Sequence, residues 1–194
     1  MAIFSPQELV KSQDVIIRVG SIPSNSVRPT ITQSGATFTV SGAPTLYTMQ
    51  GVTTASMAFN DNNTEFFLLG GGGFSDSVIT TTGCQASITT YFQKDVDGTT
   101  FLPDSFDEAF QAVSASRYDK NHEVYVEINK QLGASGNTYY YDRVAFVACV
   151  MNYNESYPAD NLVEVTFDLT SRGRIGIHQN ASETGSIIPT APNS

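Results

Sequence analysis

The sequence predicts a mainly β protein: an antiparallel β-sandwich or small barrel flanked by one α-helix, with an extended loop and terminal arms. Three observations carry that expectation. Charged residues make up only 15% of the 194 residues, well under the roughly 25% of average globular chains. Short β-branched runs alternate with polar turn clusters along most of the length. A single amphipathic helical pattern interrupts them.

Taken in chain order, Val15–Val19 (VIIRV) is the first strand signal, and Ala36–Val40 (ATFTV) is a short alternating one. Between them, Gly20–Gly35 (GSIPSNSVRPTITQSG) reads as a long polar loop with two prolines, a length that usually marks function or mobility. Gly51–Phe59 alternates, with Thr53, Ala55, Met57 and Phe59 forming its more apolar face. Ser77–Thr82 and Gln85–Gln93 follow a run of four glycines, Gly70–Gly73. Leu102–Ser116 predicts the helix. Asp104 stands at the N-cap, Asp107 and Glu108 lie in the first turn, and Phe106, Phe110 and Val113 share one face. Strand signals return at Glu123–Leu132, Tyr139–Tyr153, Asn161–Leu169 and Arg174–His178. In Leu162–Leu169, the residues Val163, Val165, Phe167 and Leu169 point one way and Glu164, Thr166 and Asp168 the other, as in a sheet with one wet face. We expect one domain over residues 1–194, with a flexible N-terminal arm at 1–14 and a C-terminal arm at 179–194.

Composition narrows function. The net charge of −9 argues against binding nucleic acid by neutralising phosphates. Cys84 and Cys149 are too few for a disulfide scaffold, and the start MAIFSPQELVKSQ lacks a secretory pattern. The expected compartment is cytoplasmic. No run reaches the ~20 apolar residues of a spanning helix, so no membrane insertion is expected.

The chemistry-bearing patterns fall away in turn. Gly70–Gly73 is followed by FSDSVITTT instead of a lysine and a helix, so it reads as a turn between strands and not as a phosphate loop. Asp95-Val-Asp97-Gly98 starts like a calcium loop, yet position 12 is Phe106. His122 and His178 lie outside metal-ligand spacings, and no nucleophile elbow is present. These readings leave no catalytic, cofactor or metal residues to name, and a non-enzyme is expected.

The segment Gly51–Asp95, GVTTASMAFNDNNTEFFLLGGGGFSDSVITTTGCQASITTYFQKD, resembles the first half of a tailed-bacteriophage major tail (tail tube) protein. Its features are a strand, a polar turn, a glycine break and a threonine-containing strand pair ending near an aspartate and a helix. Tyr139–Gln179, YYYDRVAFVACVMNYNESYPADNLVEVTFDLTSRGRIGIHQ, resembles the closing strands of that family. The resemblance implies a virion structural protein, assembled in the host cytoplasm, whose hexameric rings stack into a hollow tube. DNA passes through that tube without specific binding. It also implies tail terminator, tail tip and tape-measure partners, sheets that continue from subunit to subunit, and arms that reach neighbouring copies.

Under that reading the acidic residues Glu123, Glu127, Glu164 and Asp168 are candidates for the lumen, where like charge keeps DNA from sticking. Pro23, Asn25, Arg28 and Pro29 are candidates for contact between rings. Two other classes stay open. One is a virion-associated β-sandwich binding module for carbohydrate or a host surface, which the tyrosines at 139–141 would serve. The other is a β-scaffold hydrolase, which would need convergent carboxylates.

Overall fold

The computed structural model describes residues 15–49, 51–67, 75–92, 108–119, 121–159 and 161–184, and for 62–67, 75–81 and 108 the backbone alone. The strands are β1 (Val15–Ile22), β2 (Thr30–Ser34), β3 (Thr37–Ser41), β4 (Tyr47–Thr48), β5 (Val52–Phe67), β6 (Ser75–Tyr91), β7 (Glu123–Ser135), β8 (Thr138–Ser156) and β9 (Glu164–Thr184). Helix α1 covers Glu108–Ser114 and tightens into a 3-10 turn at Ala115–Arg117. Seven strands form one sheet in the order β4-β1-β7-β8-β9-β6-β5, and β2 and β3 form a separate hairpin. Every neighbouring pair is antiparallel. The expected mainly β fold with one flanking helix is what the chain adopts.

Two long strands change partners part-way. Strand β7 begins at Glu123, opposite Cys149, so residues 150–156 of β8 run beyond it and pair only with β9. Pairing of β6 with β9 ends at Gln85 opposite Thr170, so residues 171–184 of β9 pair only with β8. The sheet therefore has two parts that share β8 and β9. At the junction the register shifts between Phe146 and Ala148, and Gly173 adopts φ 90°, a value that side-chain-bearing residues resist. One apolar cluster serves both parts. Ile17, Val19, Val124, Val126, Val144 and Phe146 come from the first, Ala86, Ile88, Val165, Phe167 and Leu169 from the second. The helix adds Ala109, Phe110, Ala112 and Val113 to the same cluster. Phe110 and Val113 are thus the buried face expected of it, while Asp104, Phe106 and Asp107 lie outside the described residues.

The opposite face of the first part is covered by the β2–β3 hairpin. Ile31 meets Ile22, Tyr125, Ala145 and Val147, with Phe38, Val40 and Leu46 packed around them. Close approach is possible because Gly176 has no side chain: a Cβ there would lie 2.6 Å from the Phe38 ring and 2.9 Å from Ile31 Cγ2. The Gln33 carboxamide donates to Ile177 O at 2.8 Å and accepts from Ile177 N at 2.8 Å, capping the β9 edge that β6 leaves free.

Several boundaries differ from the sequence reading. Gly20–Gly35 is not one loop, because β1 runs to Ile22 and β2 occupies Thr30–Ser34. Only Ile22 and Ile31 of that stretch are buried hydrophobics, so it looked polar. The expected strands at Ser77–Thr82 and Gln85–Gln93 are joined in one, β6, that passes through Gly83 and ends at Tyr91, with Gln93 outside the described residues. The expected strands at Asn161–Leu169 and Arg174–His178 are likewise joined in one, β9, which starts at Glu164 and continues to Thr184, beyond the expected start of the C-terminal arm. Gly70–Gly73 lies outside the described residues, between the paired ends Phe67 and Ser75.

Gly176→Ala is expected to lower stability by about 1–3 kcal/mol through overpacking against the hairpin. Chemical denaturation of Gly176→Ala, Phe38→Ala and the double variant checks this. The double variant should lose less than the two single losses added together.

Candidate functional site

The second part of the sheet has one face that none of the described residues covers, and register defines it. Residues directly opposite one another share a face, which gives ranks across four strands. Ser56, Ser87, Asp168 and Met151 form one rank, and Ala58, Gln85, Thr170 and Cys149 the next. Thr54, Thr89, Thr166 and Asn154 form a third, with Tyr91, Glu164 and Ser156 beyond it. The other face of the same strands carries Ile88, Ala86, Phe167, Leu169 and Val165 in the core. Hydroxyls and carboxamides dominate the bare ranks. Their charged residues are Glu164 and Asp168, both acidic, with no lysine or arginine among them.

Asp168 is the best-anchored of these groups. Ser87 Oγ donates to its Oδ1 at 2.5 Å and Asn152 Nδ2 to its Oδ2 at 2.6 Å. These hydrogen bonds, Ser87 first, hold its carboxyl below the usual aspartate range. Asn152 reaches it from a β-bulge. Between Met151 and Asn154 strand β8 carries an extra residue, and Asn152 takes φ 52°, which asparagine tolerates better than most residues.

Glu123 and Glu127 sit on the same side of the sheet but under the hairpin. Both are buried, at 4% and 7% exposure. Glu123 accepts from Arg28 Nη2 at 2.7 Å and from Arg28 Nε, and Arg172 Nη1 lies 3.3 Å from its Oε1. Glu127 accepts from Arg18 at 3.5 Å and from the Tyr125 hydroxyl at 3.3 Å, with Arg143 at 3.8 Å. Arg143 in turn bonds Asn129 Oδ1 at 2.5 Å and ion-pairs with Glu183. Burial, together with the carboxylate of Glu127, raises the Tyr125 hydroxyl pKa, so it stays a proton donor. These two glutamates tie strands and hairpin together in the subunit, unlike Glu164 and Asp168, which stand on the bare face. Alternation alone could not separate the pairs, because what differs is a hairpin packed on one end of the sheet.

Pro23 and Asn25 are exposed beside the turn closed by Ser26 N to Pro23 O at 2.9 Å, but Pro29, expected among the contact residues, is buried within the subunit. Arg28 of the same loop is engaged by Glu123. Tyr141 is buried and Tyr139 and Tyr140 are half-buried, so the tyrosine run is not an open aromatic platform. Among the described residues no group of three or more histidine, cysteine or acidic side chains is placed to hold a metal ion. Burial pushes the Cys84 thiol up to about 11. Sequence reasoning missed Ser87 and Asn152 because their link to Asp168 exists only through strand register.

No family model matches the chain, and no curated protein matches it. Among solved structures, the SPP1 tail tube, determined by solid-state NMR and cryo-EM, is similar over 89% of this chain and 81% of that one. The TM-score is 0.55 at 14% identity. The chain has the fold of a phage tail tube protein. A chain of the tail of the empty gene transfer agent particle is similar at TM-score 0.49 and 11% identity, over 86% of this chain and 97% of that one. One in the anti-feeding prophage baseplate reaches 0.43 and 9%, over 82% and 91%. Those two scores add nothing to the fold assignment.

Two predictions follow from the contacts of this tail-tube fold. Asp168 should titrate by NMR below an ordinary aspartate, and Ser87→Ala should move its midpoint upward. Because the folded value is the lower one, its contribution to stability is complete above the unfolded value and fades as pH falls through the folded one. Glu123→Ala should cost about 1–3 kcal/mol by chemical denaturation, since it removes charged hydrogen bonds whose arginine partners can re-enter water.

Proposed function

We propose that this chain is the structural subunit of a tail tube, in which six copies close into a ring, rings stack, and DNA passes through the bore. The observation that carries the reading is the four-strand face left uncovered by the described residues, mostly hydroxyl and carboxamide side chains with Met151, Ala58 and Cys149 among them, and charged only by Glu164 and Asp168. A conduit needs a wetted surface that does not hold a polyanion. Fixed carboxylates supply that, acting within about 8–10 Å of the wall at physiological salt. A basic lining would bind phosphates and retard passage.

Edges support ring closure. Strand β5 is outermost in the sheet along Val52–Phe67, and residues 150–156 of β8 have no β7 partner. Direction alternates across β8, β9, β6 and β5. A β5 edge laid beside the β8 edge of the next copy therefore runs antiparallel, and the alternation continues around the ring. Closure of this kind removes open edges that would otherwise invite aggregation. The same reading places the chain in the virion tail after assembly in the host cytoplasm, with terminator, tip and tape-measure proteins at the ends and inside of the tube. Loop residues Pro23 and Asn25 are candidates for contact between rings, with Arg28 tied to Glu123 and Pro29 buried within the subunit. We assign the bore to Glu164 and Asp168, and leave Glu123 and Glu127 as internal ties.

Negative-stain microscopy of the purified chain is the first test, and hollow tubes are the expected result. In phage particles carrying Glu164→Lys, tubes should still form while DNA ejection slows measurably at low ionic strength. A chain that stays monomeric at high concentration, or ejection that is unchanged by the substitution, would count against the reading.

A further inference from the structure

Just before β7 the chain buries a histidine. His122 is only 7% exposed, and three elements meet at its ring. Its Nε2 lies 3.3 Å from Ser21 Oγ on β1, the Ala112 carbonyl of α1 faces the ring as an acceptor, and β7 begins at the next residue. The backbone of the same residue closes the turn that follows the 3-10 segment, His122 N donating to Asp119 O at 3.1 Å.

A neutral imidazole is sufficient for these contacts, because the carbonyl takes one ring N–H and a serine hydroxyl can donate as well as accept. A charged ring is a poor fit. It would sit out of water beside a helix that packs Ala109, Phe110, Ala112 and Val113 into the core, and Arg117 and Arg172 line the same open cleft. The acidic groups nearby compensate only in part. Glu123 is engaged by Arg28 and Arg172, and Glu155 by Arg117. Asp119 favours the charged form, as does the Ala112 carbonyl. Cys149 of β8 completes the titratable groups on the cleft. Burial outweighs Asp119 and Ala112 and holds the ring below the ordinary histidine range.

We propose that His122 is a proton-sensitive latch for helix α1: neutral, it holds the helix and its 3-10 turn against β1 and the start of β7, and protonated, it lets them come away from the sheet. The buried ring resists a proton that the open one accepts, so opening takes up a proton. The latch is therefore complete above the open-state value of ~6.5 and weakens as pH falls below it. It belongs to the single subunit and stands apart from the tube reading.

The test uses the unassembled full-length chain carrying His178→Gln, which leaves His122 as its one histidine. By NMR the His122 ring should titrate below ~6.5. Amide exchange across Ala109–Arg117, corrected for the intrinsic rate, should accelerate as pH falls from about 7 to about 5, by no more than about tenfold per pH unit for one proton. Exchange in the β2–β3 hairpin should not follow it. Adding His122→Gln, which keeps a donor and an acceptor but does not titrate, should make helix exchange independent of pH over that range. A His122 ring that titrates at or above ~6.5, helix exchange that is already independent of pH in the parent, or equal acceleration in the His122→Gln chain would overturn the latch. If His122→Gln does not fold, the parent's ring titration and helix exchange decide between the same outcomes.

Discussion

The antiparallel pairing of β8 with β9 is the interaction on which the rest of the molecule depends. These are the two longest strands, and each serves two sets of neighbours. The pairing of β8 with β7 ends at Cys149 opposite Glu123 and that of β9 with β6 ends at Thr170 opposite Gln85, in the same rank, so the pair joins the two parts of the sheet. Three register shifts along it, at Tyr141/Arg143, Phe146/Ala148 and Met151/Asn154, set where the strands bend. The first and last hold Asn180 and Asn152 in left-handed conformations, and the middle one holds Gly173. Slipping this pair by one residue would turn Phe167 and Leu169 to solvent and Asp168 into the core, so the buried face itself fixes the register.

From that pairing follows a division of labour on the opposite face. Over β1, β7 and the first half of β8, the hairpin seals apolar residues and a chain of paired charges. Over β9, β6 and β5, none of the described residues covers the sheet, and most of the side chains there are polar. The same strand order that exposes this surface also leaves β5 and the end of β8 as free edges on its two sides. A face to be wetted and two edges to be joined come from one topological fact.

Much of this was legible in the sequence, and the failures have physical causes. The alternation in LVEVTFDL identified the buried side of β9, and the spacing of Phe110 and Val113 identified the packing face of the helix. The helix face and the strands were readable because both depend on local periodicity. The β2 strand was not. TITQS has one buried apolar residue, Ile31, and its stability comes from Gly176 and Gln33 contacts far along the chain. Glycines misled in β6 and β9, where Gly83 and Gly173 fell between expected strands yet lie inside continuous ones. The four acidic residues looked equivalent because period-two alternation is the same in β7 and β9. Only the hairpin distinguishes them, burying Glu123 and Glu127 against arginines and leaving Glu164 and Asp168 uncovered.

The central claim is that the uncovered face lines a bore. A side-chain-resolution helical reconstruction of the assembled chain measures this most directly. The account predicts the ranks of Ser56, Ser87 and Asp168 facing the tube axis, with β5 of each subunit antiparallel to residues 150–156 of the next. A reconstruction that places Asp168 on the outer surface, or buries its rank between stacked rings, would contradict it.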